Sequence, residues 1–275
     1  MTRFSPFFLL GLLLCRPADA FDWTATSVGL SHSNHYAEPF NNKDVGKNIY
    51  SLTHANGYRY GSNFLNIDHL VSDSSDPAPS GSGARETYVV YRHLLDLSKL
   101  IGQPLRFGPI RSVGLTAGFD WNNKNDVGYA SKKQMLVIGP TLMLDVPGFL
   151  NISLLVLEES NRPRSIADRY TYKTHPMLNL AWNIPLGNLG TLPVEFAGYA
   201  NFIAAKGTNE FGSQTARETN IDMKLMVDAG RLAGRGSSPF KIGIGYQYWH
   251  NKFGNLPSTV GSTARTPYLR AEYHF

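Results

Sequence analysis

Tyr268-Leu-Arg-Ala-Glu-Tyr-His-Phe275, the closing octapeptide, alternates strictly. Phe275, Tyr273, Ala271 and Leu269 fall on one face of a strand, and His274, Glu272, Arg270 and Tyr268 fall on the other. An apolar face carried through to a terminal phenylalanine is awkward in water. In a bilayer that face meets lipid while the charged face meets a wet lumen. A strand of this kind is also the expected handle for barrel-insertion machinery. If the remaining chain repeats the pattern, the polypeptide is a transmembrane antiparallel β-barrel.

It does repeat. Leu150, Ile152, Leu154 and Val156 oppose Asn151, Ser153 and Glu159, which share their face with Leu155 and Leu157. Ile221, Met223, Leu225, Val227 and Ala229 oppose Asp222, Lys224, Met226 and Asp228. Comparable runs begin near residues 113, 135, 178 and 192, and weaker ones complete the set. The expected strands are 22–32, 47–56, 58–71, 85–97, 109–121, 131–146, 149–159, 169–184, 192–204, 218–230, 239–252 and 264–275, twelve in all. About ten residues at roughly 3.3 Å each, tilted near 45°, span the apolar band of about 25 Å in an outer membrane.

Connections support this reading. Short ones at Asn56-Gly57, Pro147-Gly148, 185–191 and 231–238 alternate with long polar ones at 32–46, 73–84, 122–130, 160–168, 205–216 and 253–263. Short turns on one side and long loops on the other are what a barrel with both termini in the periplasm requires. The connection at 98–107 is long for a turn. A secreted β-sandwich would also alternate, but it would not produce this loop asymmetry together with the terminal Phe275.

The N-terminus reads as a secretory signal. Arg3 precedes an apolar run from Phe7 to Cys15, and Ala18-Asp-Ala20 offers a cleavage site. Residues 1–20 are therefore expected to leave, and 21–275 to form one barrel in the cell outer membrane. A lipoprotein reading of Cys15 is the weaker alternative, because Leu14 is large where a small residue is expected and Ala18-x-Ala20 follows directly. Once Arg3, Arg16 and Asp19 are lost, 26 basic and 21 acidic residues become 24 and 20, with no cysteine remaining. Disulfides then contribute nothing, and the small surplus of positive charge is no argument for nucleic-acid binding. No cofactor is expected. His32 and His35 lie close together, but no third metal ligand accompanies them.

On this register the inward groups include Asp68, Glu86, Arg92, Asp96, Asp120, Asp145, Glu195, Tyr199, Asp222, Lys224, Asp228, Arg270 and Glu272. They must pair across the lumen or meet water, because an isolated buried charge costs too much. In the segment from Tyr58 to Asp68, Leu65 and Ile67 take the lipid side, while Tyr58, Tyr60, Phe64, Asn66 and Asp68 are expected to face inward. Rings among amides and carboxylates suit a flat heterocycle bearing hydroxyls. Stacking contributes about 1–3 kcal/mol per base, and the polar groups can bond sugar hydroxyls.

The same residues carry a family resemblance. Tyr60-Gly-Ser-Asn-Phe64 with Asp68 downstream, Leu97-Ser-Lys-Leu-Ile-Gly102, Val146-Pro-Gly-Phe149 and Tyr246-Gln-Tyr-Trp-His-Asn-Lys-Phe-Gly254 occur in order. In these the chain resembles the nucleoside-specific channel-forming outer-membrane family (Tsx-like, including OmpK-type proteins). The resemblance implies a twelve-stranded barrel passing nucleosides by facilitated diffusion. It carries roles in solute binding onto Tyr60, Asn63, Phe64 and Asp68, and onto Gln247, Trp249 and Asn251. Asn63 falls on the outward register unless a bulge near Gly61 turns it inward, and Ser62 stands where the motif usually has Asp.

Two other classes fit the architecture. A barrel-type lipid hydrolase would need a Ser-His pair oriented by a third group, and the chain has histidines but no diagnostic spacing. A surface receptor or adhesin, for example for a phage or bacteriocin, would use the long outer loops, such as 73–83, and could coexist with transport.

Overall fold

The structure, a computed structural model, describes residues 21–189 and 192–275. The expected signal at 1–20 and two residues of the turn at 190–191 lie outside the described residues. Twelve long strands close into a barrel: β1 (Trp23–Tyr36), β2 (Val45–Tyr58), β3 (Gly61–Ser72), β4 (Arg85–Asp96), β5 (Ile110–Lys124), β6 (Gln134–Leu144), β7 (Phe149–Asn161), β9 (His175–Leu189), β10 (Leu192–Ile203), β11 (Glu218–Asp228), β12 (Phe240–His250) and β13 (Ala264–His274). A two-residue strand, β8 (Tyr170–Thr171), extends β7 within a loop. Each long strand pairs antiparallel with its neighbours in sequence, and β1 pairs with β13 to complete the ring. Closure leaves no sheet edge, so the backbone groups are satisfied within the ladder, as a lipid environment demands.

The register places alternate residues as the period-two reading expects. Gly29 pairs with Ser51 and Glu272, and Ser51 pairs in turn with Asp68. That inward row continues through Tyr88 and Asn122. On the opposite parity the aliphatic side chains stand out from the wall: Leu136 is 60% exposed, and Ile138, Leu154, Val156, Ile244 and Leu269 are exposed as well. A soluble protein would bury such a belt, whereas a lipid-facing barrel displays it. The belt and the closed ladder together make this an outer-membrane architecture. Among the described residues no helix is long and apolar enough to cross a membrane.

The short-turn rim carries two small helices, α1 (Leu97–Ile101) and α2 (Ala229–Leu232). The long connection at 98–107 is thus partly helical. The described ends of the chain also meet this rim, where Asp22 N–H donates to Gly57 and Phe275 N–H to Thr26. The seam between β1 and β13 is short: six residue pairs, from Ser27–His274 to His32–Leu269, against twelve between β1 and β2.

Two expected boundaries move for physical reasons. Asn56-Gly57 is not a turn. Both residues belong to β2, and the hairpin turns at Arg59 and Tyr60. Gly57 is needed for space, since a Cβ there would lie 2.1 Å from Trp23 Nε1. The expected strand at 169–184 begins instead at His175 and runs on to Leu189, absorbing Pro185 and Gly187 at a bulge against Val194 and Glu195.

Candidate functional site: the lumen

Toward the short turns, the wall of β2, β3 and β4 is only partly covered. Phe64 points inward between Ala55 and Arg92, yet it remains 40% exposed. Arg92 donates to Asp120 at 2.6 Å and also to the Phe119 carbonyl oxygen. Across the barrel Lys241 pairs with Glu195 at 2.6 Å, and both are partly exposed. Glu272 gathers Lys224, Arg270 and His274, the histidine at 3.0 Å. This end of the lumen is therefore charged, with cations and anions in contact; Lys241, Glu195 and Lys224 keep some exposure, while Asp120 and Glu272 are buried.

Midway, tyrosines meet aspartates. Tyr88 donates to Asp120 at 3.1 Å and Tyr268 to Asp222 at 2.5 Å. Gln247 donates to Asp222 at 3.3 Å, and Asn66 accepts from Thr53 at 2.7 Å. Asp68 lies on the same inward row as Tyr88.

At the long-loop end the lumen is filled. Glu38, from the β1–β2 loop, is buried beneath three ammonium groups: Lys47 at 2.6 Å, Lys124 at 3.0 Å and Lys252 at 3.0 Å. Lys124 also reaches Asp76 at 2.9 Å from the β3–β4 loop. Burial alone would raise the Glu38 carboxyl, but Lys252, Lys47 and Lys124 override it and hold it well below the ordinary value of 4.5. A second cluster joins Glu159 to Lys206 at 2.6 Å and to Lys133 at 3.6 Å. Over it, Tyr129 and Tyr172 from two loops both donate to Glu210 of a third. All six long loops are thereby tied to one another or to the wall by ion pairs or hydrogen bonds to a carboxylate.

The expected site residues divide accordingly. Phe64, Asn66 and Asp68 share one inward wall with Arg92 and Glu86. Glu86 itself is buried, accepting from Asn122. Asp120, Glu195, Tyr199, Asp222, Lys224, Arg270 and Glu272 all lie on inward registers. Gln247 and Trp249 also face inward. The Trp249 ring is packed into the loop-end plug, however, donating to Glu218 at 2.6 Å with Lys252 above its face.

Six expected placements are corrected, and a seventh residue, Asn63, keeps its expected outward register. Tyr58 ends β2 on its outward parity, because the two-residue hairpin follows it, and Tyr60 sits in that turn with its ring edge-on to Tyr58. Asp96 and Asp228 are spent capping α1 and α2; Asp228 accepts from Gly230, Arg231, Ser237 and Ser238. Asp145 lies in the turn beyond β6, paired with Arg106 at 2.8 Å, with both groups exposed. Asn251 lies past β12 in a left-handed conformation, and its amide donates to the Arg217 carbonyl. Asn63 is outward with no register shift. Its amide donates to Asn56 at 2.9 Å, while its carbonyl accepts from Tyr91 at 2.8 Å and meets His93 at 2.9 Å.

Sequence reasoning missed an apolar sector. Met135, Val137, Leu155, Leu157 and Met177 form a buried cluster on the inward side of β6, β7 and β9, with Ile203 against it. Thr116, Thr141 and Ser153 continue that wall as a hydroxyl ladder at 2.6 and 2.8 Å. Their signal was present as apolar residues on both parities of 135–144 and 154–157. Among the described residues, the histidine rings bond Thr26, Asn48, Asp44, Thr87, Thr263 and similar partners, and no serine hydroxyl bonds a histidine ring. No three His, Cys, Asp or Glu side chains among them converge as a metal set.

No family model matches the chain, and no curated protein matches it. Among solved structures, a KdgM porin aligns with TM-score 0.42 at 10% identity over 90% of this chain and 99% of its own. The β domain of the Bordetella autotransporter BrkA gives 0.39 at 8%, over 92% and 98%. Pseudomonas aeruginosa OccK5 (OpdH) gives 0.29 at 10%, over 94% and 98%. With scores this low, any reading of the lumen rests on the lumen itself.

Proposed function

We propose that the chain is an outer-membrane channel for small polar solutes, with nucleosides the solute class its wall suits best. The carrying observation is Phe64: an aromatic ring aimed into the lumen and left 40% exposed there. Asn66 and Asp68 stand further along the same face, and Arg92 is across from it. A base stacks on the ring for about 1–3 kcal/mol, while amide and carboxylate accept or donate to ribose hydroxyls. Binding of that strength is weak enough for release, so it speeds passage rather than blocking it.

On this proposal the solute site comprises Phe64, Asn66, Asp68 and Arg92, at the short-turn half. Gln247, Trp249 and Asn251 support the opposite end. The rim of long loops faces outward and the short turns face the periplasm, as in other barrels of this build. Residues 1–20 serve as the export signal and are removed.

The test is single-channel current in a planar bilayer containing the purified chain. Millimolar nucleoside should reduce the ionic current, whereas ribose alone at the same concentration should reduce it less. If both act equally, or neither acts, the reading of the ring as a base platform fails.

A further inference from the structure

A basic pocket lies on the outside of the long-loop rim. Lys132, Arg162 and Arg164 line a cavity of about 470 Å³ between the β5–β6 and β7–β8 loops. Arg169 joins them, its guanidinium donating to the Lys132 carbonyl at 2.9 Å and to Ser160 at 3.3 Å. Arg169 is held somewhat below its ordinary value by partial burial and by the charge of Arg162. None of these four has a carboxylate within 4.0 Å among the described residues. That includes Glu158 and Asp168, the acids nearest in sequence. The lumen shows the contrary habit, since Arg92, Lys124, Lys206, Lys224, Lys241 and Arg270 each have an acid partner there.

The position of the pocket narrows the ligand. Ser160 pairs with Gln134 at the top of the outward face of β6 and β7. Below on that parity come Leu136 with the exposed Glu158 opposite it, and then Ile138, Val156 and Leu154, the four apolar side chains all at least half exposed. A molecule bound here would set an anionic group among four cations and an apolar body against the belt. A free anion would use only the first.

The geometry points to a binding site for the phosphorylated headgroup of a membrane lipid, with Arg162, Arg164, Arg169 and Lys132 holding phosphate oxygens and the acyl chains lying along β6 and β7. Guanidinium forks match phosphate geometry in pairs of parallel bonds, and the apolar belt adds area that a soluble phosphate cannot occupy.

The test uses the full chain folded in detergent and native mass spectrometry. The probes are an acylated diglucosamine carrying two phosphates, the same glycolipid without phosphates, and inorganic phosphate. The phosphorylated glycolipid should be retained, and Arg162→Gln with Arg164→Gln should cut retention about tenfold or more. Arg265→Gln, an exposed arginine on another sector of the rim, should change nothing. Lys132→Gln alone should weaken retention to a lesser degree, which covers the case of a double variant that fails to fold. Equal retention of the dephosphorylated lipid would overturn the site, as would an unchanged double variant. Equal loss in Arg265→Gln would reduce it to general surface charge, and full displacement by equimolar inorganic phosphate would reassign it to a free anion.

Discussion

One lumen has two unlike ends. Near the short turns the charges pair along the wall, some of them partly exposed, and an aromatic ring stands uncovered. Near the long loops the charges are paired and dry, and the chain that carries them comes from the loops as much as from the wall. Glu38, Asp76, Lys252 and Lys206 are all loop residues. The lesson concerns where specificity and closure can be built. A wall position is fixed by the ladder and can offer a constant surface to a passing solute. A loop position can be withdrawn, so charge held there acts as a fastening.

The sharpest way to break this contrast is Glu38→Gln. It leaves Lys47, Lys124 and Lys252 facing one another, and removing one partner of a buried pair typically costs about 3–5 kcal/mol. We expect a lower unfolding temperature in detergent and a larger single-channel conductance as the loops part. Unchanged conductance would show that the fastening does not govern the mouth.

The same group predicts an acid response. Because its folded value is depressed, Glu38 contributes its full stabilisation above the ordinary carboxyl value of 4.5 and loses it as pH falls through the folded value. Thermal stability should be level from neutral pH to about pH 5 and then decline. In the Glu38→Gln variant that component of the decline should vanish, which is measurable by melting across a pH series.

At the other end, Phe64→Ala should weaken nucleoside block by the worth of one stacked base, about 1–3 kcal/mol, with the barrel still heat-modifiable on gels. Trp249→Phe keeps a ring at the plug but loses the bond to Glu218, and it should leave the block unchanged. If Trp249→Phe abolishes block while Phe64→Ala spares it, the two ends exchange roles. The smallest effect belongs to the rim: Asp96→Ala removes the α1 cap and should cost about 0.5–2 kcal/mol in melting, with no change in current.

Strand number, strand parity and the lipid belt were legible because a two-residue repeat is a local property, readable at Leu150 or Ile221 without knowing any partner. The turn at Arg59-Tyr60 was not. Asn56-Gly57 has the composition of a hairpin tip, and only the ring of Trp23 lying across Gly57, from another strand, explains why that glycine is there. With that turn Tyr58 moved to the outward face and Tyr60 into the turn itself. Phe64, Asn66 and Asp68 kept their face because the parity of β3 was read correctly, although its start moved from residue 58 to 61. The acids were the least legible. Asp96, Asp145 and Asp228 look the same in sequence as Asp120 or Asp222, and which of them caps a helix depends on turns that period-two reading ignores. Ion partners such as Glu38 and Lys124 are separated by more than eighty residues, and alternation carries no information across that distance.

The ring of strands has one weak link. Six pairings hold β1 to β13, and beyond His32 the ladder stops, with the Thr266 hydroxyl donating to the His35 carbonyl in its place. A hoop under tension opens at its shortest weld. Hydrogen exchange in the mature barrel should therefore be fastest, among ladder amides, along that junction. The same place is the natural last step of assembly, when the first and last strands of a nearly finished cylinder find each other inside the membrane.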